Sequence, residues 1–186
     1  MARVMPIANR DSQDELFMTR ALTLARKALL IGQLPIGAAL VLDQEVIAEA
    51  YCSDKGLRRL HHPELLVLLV CDGRRYDLQE RRNMTLYTNL EPCVMCFGAA
   101  MSCCVGRIVY GLSAPVDGAL SRVSEPGLNR MVDPEYTSPD VVGSVLRHES
   151  YTVFEAFVAQ WTDPSMVSFA KRILAANAED PYVEAP

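Results

Sequence analysis

Two cysteines three positions apart could hold a metal ion. Cys93 and Cys96 occur in the stretch EPCVMC, directly after a proline. If a helix begins there, the two side chains lie on one face with Cβ atoms about 5–6 Å apart, so both sulfurs can reach one ion. The start of a helix also favours thiolate, the form of cysteine that binds zinc. The pair therefore predicts two ligands of a zinc ion.

A histidine and a glutamate upstream could complete the site. His62 and Glu64 lie in the stretch HHPE, with Pro63 between them at a position suited to the first turn of a helix. A parallel arrangement of the two helices would bring both starts to the same end of the sheet, which makes His62 the third ligand. Catalytic zinc sites have three protein ligands and leave one position for water. Glu64 would then accept the proton of that water and pass it to the substrate.

Three alternatives to a catalytic zinc site remain open. A C-x-x-C pair can be redox-active, although that use would leave His62 and Glu64 without a role. Motifs this short also arise by chance, but here each one follows a predicted strand and begins a predicted helix. A closed structural zinc site would need a fourth protein ligand, for which the candidates are Cys52, His61, Cys103, Cys104 and His148.

The composition is that of one ordinary globular domain. Half of the 186 residues are hydrophobic and 22% are charged, a balance that excludes disordered and collagen-like chains. A chain of this length can bury a core without disulfides or a structural metal. No stretch approaches the roughly 18 apolar residues of a membrane span, and the N-terminus has no apolar secretion segment. We therefore expect a cytoplasmic protein in which the six cysteines do not form a disulfide framework. In a reducing compartment, thiols next to a histidine indicate metal binding or catalysis.

The charge argues against general affinity for nucleic acids. The formal net charge is -5, which favours a small or locally bound substrate. Arginines nevertheless occur in three doublets that could gather into a local basic patch, although solvated edges of loops or helices are the simpler interpretation. These doublets are Arg58 and Arg59, Arg74 and Arg75, and Arg81 and Arg82.

The pattern of apolar residues predicts alternating helices and strands. A helix is expected over about 12–31, then a β-hairpin that turns at Asp43 and Gln44. The stretch HPELLVLLVCD is apolar on every side and predicts a helix buried within the fold. Strands at 84–89 and 106–111 flank a helix that starts near Cys93. The order α-β-β-α-β-α-β predicts an α/β fold, with helices on both faces of a mixed sheet.

The C-terminal third is less regular. Several prolines at 112–147 predict long loops, which could include a lid. A helix should follow with an aromatic stripe that packs in the core, formed by Tyr151, Phe154, Phe157, Val158 and Trp161. We expect one catalytic domain over 1–162, and a last helix with a frayed tail over 163–186.

The paired motifs resemble a known enzyme superfamily. HPE and PCVMC match the H-x-E and P-C-x-x-C signature of zinc-dependent nucleobase deaminases. The segments DELFMTRALTLARKALLIGQLPIGAALV, LYTNLEPCVMCFGAAM and RIVYGLSAPVDGAL also resemble, in order, parts of bacterial tRNA-specific adenosine deaminases and related base deaminases. The likeness covers about 14–120 and identifies the chain as a member of the cytidine deaminase-like superfamily.

The resemblance implies a three-layer α-β-α sandwich with a five-stranded mixed sheet, and a homodimer or larger assembly. It implies zinc held by His62, Cys93 and Cys96, with Glu64 as the proton shuttle. The reaction would be hydrolytic removal of an exocyclic amine as ammonia.

The resemblance also implies where the base would lie, but the chain departs from the tRNA enzymes at two positions near the site. Backbone groups at Pro63 and near Leu90 would border the base. The tRNA enzymes usually have alanine at the position of Pro63, and they carry an asparagine where this chain offers Cys52, Ser53 or Asp54. We therefore expect a free base, a nucleoside or a related small heterocycle as the substrate. Adenosine in tRNA is the alternative, and a zinc-stabilised interaction domain without activity is a third possibility.

Overall fold

The computed structural model describes residues 12–54, 58–120 and 138–178. Within these ranges the chain forms a five-stranded sheet between two layers of helices. The strands are β1 (Gly37–Leu42), β2 (Glu45–Tyr51), β3 (Thr85–Leu90), β4 (Arg107–Leu112) and β5 (Asp140–Val142). The helices are α1 (Ser12–Leu30), α2 (Pro63–Gly73), α3 (Leu78–Asn83), α4 (Val94–Ser102), α5 (Arg147–Gln160) and α6 (Pro164–Asn177).

The sheet is mixed, as expected. Its strand order is β2-β1-β3-β4-β5, with β1 antiparallel to both neighbours and β3, β4 and β5 parallel to one another. Because β1 is antiparallel to β2 and to β3, those two strands run in the same direction and end at the same edge of the sheet. The helices α2 and α4 both begin beyond this edge.

Two apolar cores confirm the three-layer sandwich. Successive side chains of a strand point to opposite faces, so neighbouring residues of one strand belong to different cores. Leu86 of β3 lies in the core beneath α2 and α4, together with Val67 and Phe97. Tyr87, the next residue, lies in the core beneath α1, α5 and α6, together with Phe154.

The first helix and the hairpin lie where the sequence predicted them. α1 ends one residue before the expected boundary. Asp43 and Gln44 form the two-residue turn between β1 and β2, with φ values of 48° and 65°. This left-handed conformation at both central positions matches the right-handed twist of the strands.

The prediction that α2 is buried on every side was wrong. The helix packs against the sheet and α4 through one face, which carries Val67, Leu68 and Cys71. The opposite face leaves Leu69 59% and Val70 43% exposed to solvent. The predicted order of elements also lacked α3, a short helix without buried residues, and it did not locate β5.

The C-terminal helices close one core. Phe154 and Phe157 are fully buried, and the other members of the aromatic stripe pack around them. Ala170 and Ile173 join α6 to the same core. The tail at 179–186 and the central part of the proline-rich segment, 121–137, lie outside the described residues. In the described part of the chain, no helix is long and apolar enough to cross a membrane.

A partly buried ion pair joins α1 to the sheet at the edge where β3 and β4 begin. Both guanidinium nitrogens Nη1 and Nη2 of Arg107 donate to the carboxylate of Asp14, at 2.6 Å each. The hydroxyl of Tyr87 donates to the same carboxylate at 2.9 Å. Asp14 is only 2% exposed, so these three bonds replace the water it lost on folding.

Candidate metal centre

The three predicted ligands meet at the edge where β2 and β3 end. His62 is the residue before α2, and Pro63 occupies the first helical position. Cys93 is the residue before α4, which begins one position later than predicted, and Cys96 lies in the first turn. The three side chains therefore belong to two helix starts, which the parallel run of β2 and β3 brings together.

The spacing of the ligand atoms fits a zinc ion. The Sγ atoms of Cys93 and Cys96 are 3.6 Å apart, and each lies 3.6 Å from Nδ1 of His62. A tetrahedral zinc ion with Zn–S bonds of about 2.3 Å and Zn–N bonds of about 2.05 Å separates two sulfurs by about 3.8 Å, and sulfur from nitrogen by about 3.6 Å. The three donor atoms thus already form one face of such a tetrahedron.

Among the described residues, no fourth protein ligand completes the group. The cluster of histidine, cysteine and acidic side chains with ligand atoms within 4.8 Å of one another consists, in that part of the chain, of His62, Cys93 and Cys96. The candidates for a closed structural site, among them Cys52 and His61, do not join it. Three ligands are the number found in catalytic zinc sites.

The electrostatics of the two cysteines also suit a cation. The hydrogen bond between the two sulfurs lowers the pKa of Cys93 to about 4 and raises the pKa of Cys96. The hydrogen bond to Cys93 raises the pKa of His62. Two thiolates at 3.6 Å repel each other unless a positive charge lies between them. A bound zinc ion would remove that repulsion and allow both to ionise.

Glu64 lies beside the ligands with its carboxylate buried. Its Oε2 atom is 3.7 Å from Sγ of Cys96, and its Oε1 atom accepts a hydrogen bond of 2.9 Å from the hydroxyl of Thr88. Burial raises the pKa of Glu64, while the bond from Thr88 opposes this shift. A carboxyl group with a raised pKa accepts a proton more readily than an exposed one, as a proton shuttle must. Thr88, on β3, was not identified from the sequence.

A loop after β4 covers the other side of Cys93. We call residues 113–120 the covering loop. It carries Asp117, a half-buried carboxyl group whose pKa is raised by burial and then by the charge of Cys93. Glu91, within the EPCVMC motif, accepts two backbone hydrogen bonds from this loop. Glu91 and Asp117 were not predicted from the sequence, because neither has a ligand spacing to mark it.

The remaining predicted residues lie at the same edge. Pro63 and Leu90 are buried next to the ligands, at the start of α2 and the end of β3. Cys52 follows β2, and its backbone N–H donates to the carbonyl oxygen of Ile36 at 3.0 Å. Burial raises the pKa of the Cys52 thiol, with a further contribution from Glu64. The thiol is therefore neutral near pH 7.

Comparisons with known proteins agree with this centre. Residues 11–112 match the cytidine and deoxycytidylate deaminase zinc-binding region. The tRNA-specific adenosine deaminase of Bacillus subtilis (strain 168) is 34% identical over 149 residues, which are 78% of this chain and 89% of that protein. The enzyme of the same name from Agrobacterium fabrum is 34% identical over 145 residues, covering 76% and 91%.

Solved structures share the fold. A structure from a study of tRNA:A34 deaminases is 31% identical, with a TM-score of 0.58, and covers 74% of this chain and 98% of that one. A structure of guanine deaminase from Nitrosomonas europaea is 21% identical, with a TM-score of 0.57, covering 83% and 87%. This second likeness concerns the fold alone.

Fold, candidate ligands and sequence matches together define a zinc-dependent deaminase. The chain belongs to the family of the cytidine and deoxycytidylate deaminase zinc-binding region. It is a hydrolase of C–N bonds that removes an exocyclic amine, as ammonia, from a base, a nucleoside or a related heterocycle. The hypothesis of a zinc-stabilised domain without activity is therefore set aside.

Proposed function

We propose that His62, Cys93 and Cys96 bind the zinc ion and that Glu64 is the proton shuttle of the deamination. The observation that supports this most is the set of three 3.6 Å separations between ligand atoms, with the Glu64 carboxylate 3.7 Å from one of them. In such a site zinc lowers the pKa of water towards neutrality and so supplies the nucleophile.

The chain's own residues carry the proton transfers. Glu64 accepts one proton from the attacking water and delivers it to the ring nitrogen of the substrate. It then takes the second proton of that water, which is now a hydroxyl group on the ring carbon, and delivers it to the amine, which departs as ammonia. Thr88 holds the carboxylate at 2.9 Å, so the group stays in one orientation through these steps. Backbone groups at Pro63 and near Leu90 would border the base and would orient its amine-bearing carbon towards the zinc ligands.

We propose a free base, a nucleoside or a related small heterocycle as the substrate. The arginine doublets do not gather beside the metal centre. Arg74 follows the end of α2, an 11-residue helix whose start lies at the metal, so about 16 Å separate them along the helix axis. Arg81 pairs with Asp72 at 3.4 Å, near that same distant end. Of the three doublets, Arg58 and Arg59 precede the metal-binding end, and Arg58 lies 3.6 Å from Asp54.

Adenosine in tRNA is the second candidate. It is favoured by the 34% identity with tRNA-specific adenosine deaminases over most of both chains. Binding an anticodon loop requires several phosphate contacts from lysine and arginine. Arg58 and Arg59 are the doublet placed to make such contacts.

The test is an ammonia-release screen of the zinc-loaded protein. The substrates are adenine, guanine, cytosine, their nucleosides and unmodified tRNA, each at 50 mM and 200 mM salt. We expect turnover of a small heterocycle, with little change between the two salt concentrations. Turnover of tRNA alone, with activity that falls steeply as salt rises, would establish the second candidate instead. Release of ammonia from none of them would count against both.

We also propose a cytoplasmic homodimer. The outward face of α2 exposes Leu69 and Val70, and a soluble monomer gains little from apolar residues there. All six cysteines are free thiols in the structure, which suits a reducing compartment.

A further inference from the structure

The covering loop, residues 113–120, makes close backbone contacts on both sides of Cys93. The N–H of Val94 donates to the carbonyl oxygen of Asp117 at 3.2 Å. The N–H of Ala119 donates to the carbonyl oxygen of Pro92 at 3.1 Å, and Cys93 pairs with Gly118 in an antiparallel bridge. The loop therefore fixes the backbone around Cys93, and with it the direction in which the sulfur points.

The buried carboxylate of Glu91 holds this loop in place through two backbone hydrogen bonds. Oε2 of Glu91 accepts from the N–H of Ala114 at 2.8 Å, and Oε1 accepts from the N–H of Leu120 at 2.9 Å. The contact is so close that a Cβ atom at Gly118 would lie 2.4 Å from Oε1 of Glu91. The two ends of the loop are thus tied to the residue just before the proline of the metal motif.

A side chain of the last helix holds the start of the same loop. Asn177, at the end of α6, is 3% exposed. Its amide nitrogen donates to the carbonyl oxygen of Ser113 at 2.9 Å, and its Oδ1 atom accepts from the N–H of Ser113 at 3.2 Å. The same nitrogen donates to the carbonyl oxygen of Ile173 at 2.8 Å. Every polar atom of this side chain is therefore used to join α6 to the loop.

We propose that Asn177 and Glu91 are positioning residues that hold the covering loop against Cys93 and so set how tightly the chain retains zinc. The inference rests on the proposed assignment of Cys93 as a ligand. It extends the metal centre to the end of α6, some 65 residues beyond the matched family region. Groups that orient a metal ligand through a second contact typically change metal affinity by about 10–100-fold when they are removed.

The experiment measures zinc release. The purified zinc-loaded protein is mixed with a chromophoric chelator well below its unfolding temperature, and the release rate is recorded for Asn177→Ala and Glu91→Gln. The second variant keeps the shape of the side chain, but its amide nitrogen faces a backbone N–H from which it cannot accept a hydrogen bond. We expect release about tenfold faster than in the original protein for both variants.

A matched control separates positioning from general loosening of α6. Ile173→Val removes one buried methyl group one turn before Asn177 and leaves the loop contacts intact. We expect it to lower the unfolding temperature but to release zinc at the original rate. Equal acceleration by Ile173→Val, or unchanged release in a folded Asn177→Ala, overturns the proposal. If Asn177→Ala does not fold, an unchanged rate in Glu91→Gln overturns it.

The same measurements show when the ligand assignment itself fails. Cys93→Ala is expected to purify with much less than one zinc per chain. If that variant keeps a full zinc ion, the proposed metal centre is wrong and the positioning inference falls with it. If Cys93→Ala loses zinc and the two loop variants release it normally, the metal centre stands and only the inference fails.

Discussion

At the scale of single residues, the catalytic proposal depends on a carboxylate that the fold keeps out of water. Glu64 is 4% exposed, and burial raises its pKa. Leaving such a group unpaired costs stability, and the bond from Thr88 supplies one partner. Transfer of protons between water and substrate by Glu64 would explain why a carboxyl group is buried at this position despite that cost.

The first residue-scale prediction concerns Glu64→Gln. The amide keeps the shape of the side chain and can still face Thr88, but it cannot carry a proton from water to the substrate. Because a positioned acid-base group contributes about 10²–10⁴-fold, we expect ammonia release to fall by that range while zinc content stays at one ion per chain. Glu155→Gln, on the exposed face of α5, serves as the control and should keep full activity. Turnover near the original rate in Glu64→Gln would rule out the shuttle role.

The sequence indicated the candidate ligands but not the residues that support them. Zinc accepts few residue types and needs them at short spacings, so Cys93 and Cys96 stand out in a single chain. Thr88 and Asn177 act through ordinary hydrogen bonds, which most polar residues can form at any spacing. Their contacts depend on the strand register and on the position of the last helix. A short sequence motif predicts neither the register nor that position.

At the scale of elements, the order of helices and strands was largely predictable and its exceptions have physical causes. In α1 and the first hairpin, the pattern of apolar residues predicts the element. α3 has six residues and none is buried, so it has no recurring apolar residues from which a helix could be predicted. β5 has three residues, and only the parallel pairing with β4 makes it a strand. The sequence predicted a buried α2 because apolar residues occur on all sides of the helix. In the structure, the rest of the chain packs against only one of those sides.

An element-scale prediction concerns the ion pair that joins α1 to β4. Arg107→Met leaves the buried carboxylate of Asp14 with Tyr87 as its remaining partner. Breaking a fully buried pair costs about 3–5 kcal/mol; because Arg107 is one-third exposed, we expect a loss of about 2–3 kcal/mol in the free energy of unfolding, measured with urea. Arg26→Met, at an exposed position of α1, should change it by less than about 0.5 kcal/mol.

The position of this ion pair makes the prediction specific. Asp14 and Arg107 lie at the edge where β3 and β4 begin, whereas the proposed zinc ligands lie where β2 and β3 end. Folded Arg107→Met should therefore bind a full zinc ion and release it at the original rate. An equal loss of stability in Arg26→Met, or loss of zinc from the folded Arg107→Met protein, would contradict this separation of the two edges.

At the scale of the whole molecule, the two layers of helices differ in how well they are covered. α5 packs against both α1 and α6 over one face of the sheet. On the other face, α2 turns Leu69 and Val70 to solvent, and α4 begins with Val94, 44% exposed. Because α2 and α4 also carry the proposed metal ligands at their starts, a second copy bound to this layer would lie next to the active site.

The prediction at this scale is the loss of the dimer in Leu69→Glu. A carboxylate in the centre of an apolar contact must lose its water without gaining a partner, which costs several kcal/mol. We expect the original protein to elute with the mass of two chains in light scattering coupled to gel filtration, and Leu69→Glu with the mass of one. Leu16→Glu introduces the same charge at a 65% exposed position of α1, on the opposite layer, and should leave the dimer intact. A monomeric original protein, or a dimer that survives in Leu69→Glu, would show that this face of α2 is not the contact between copies.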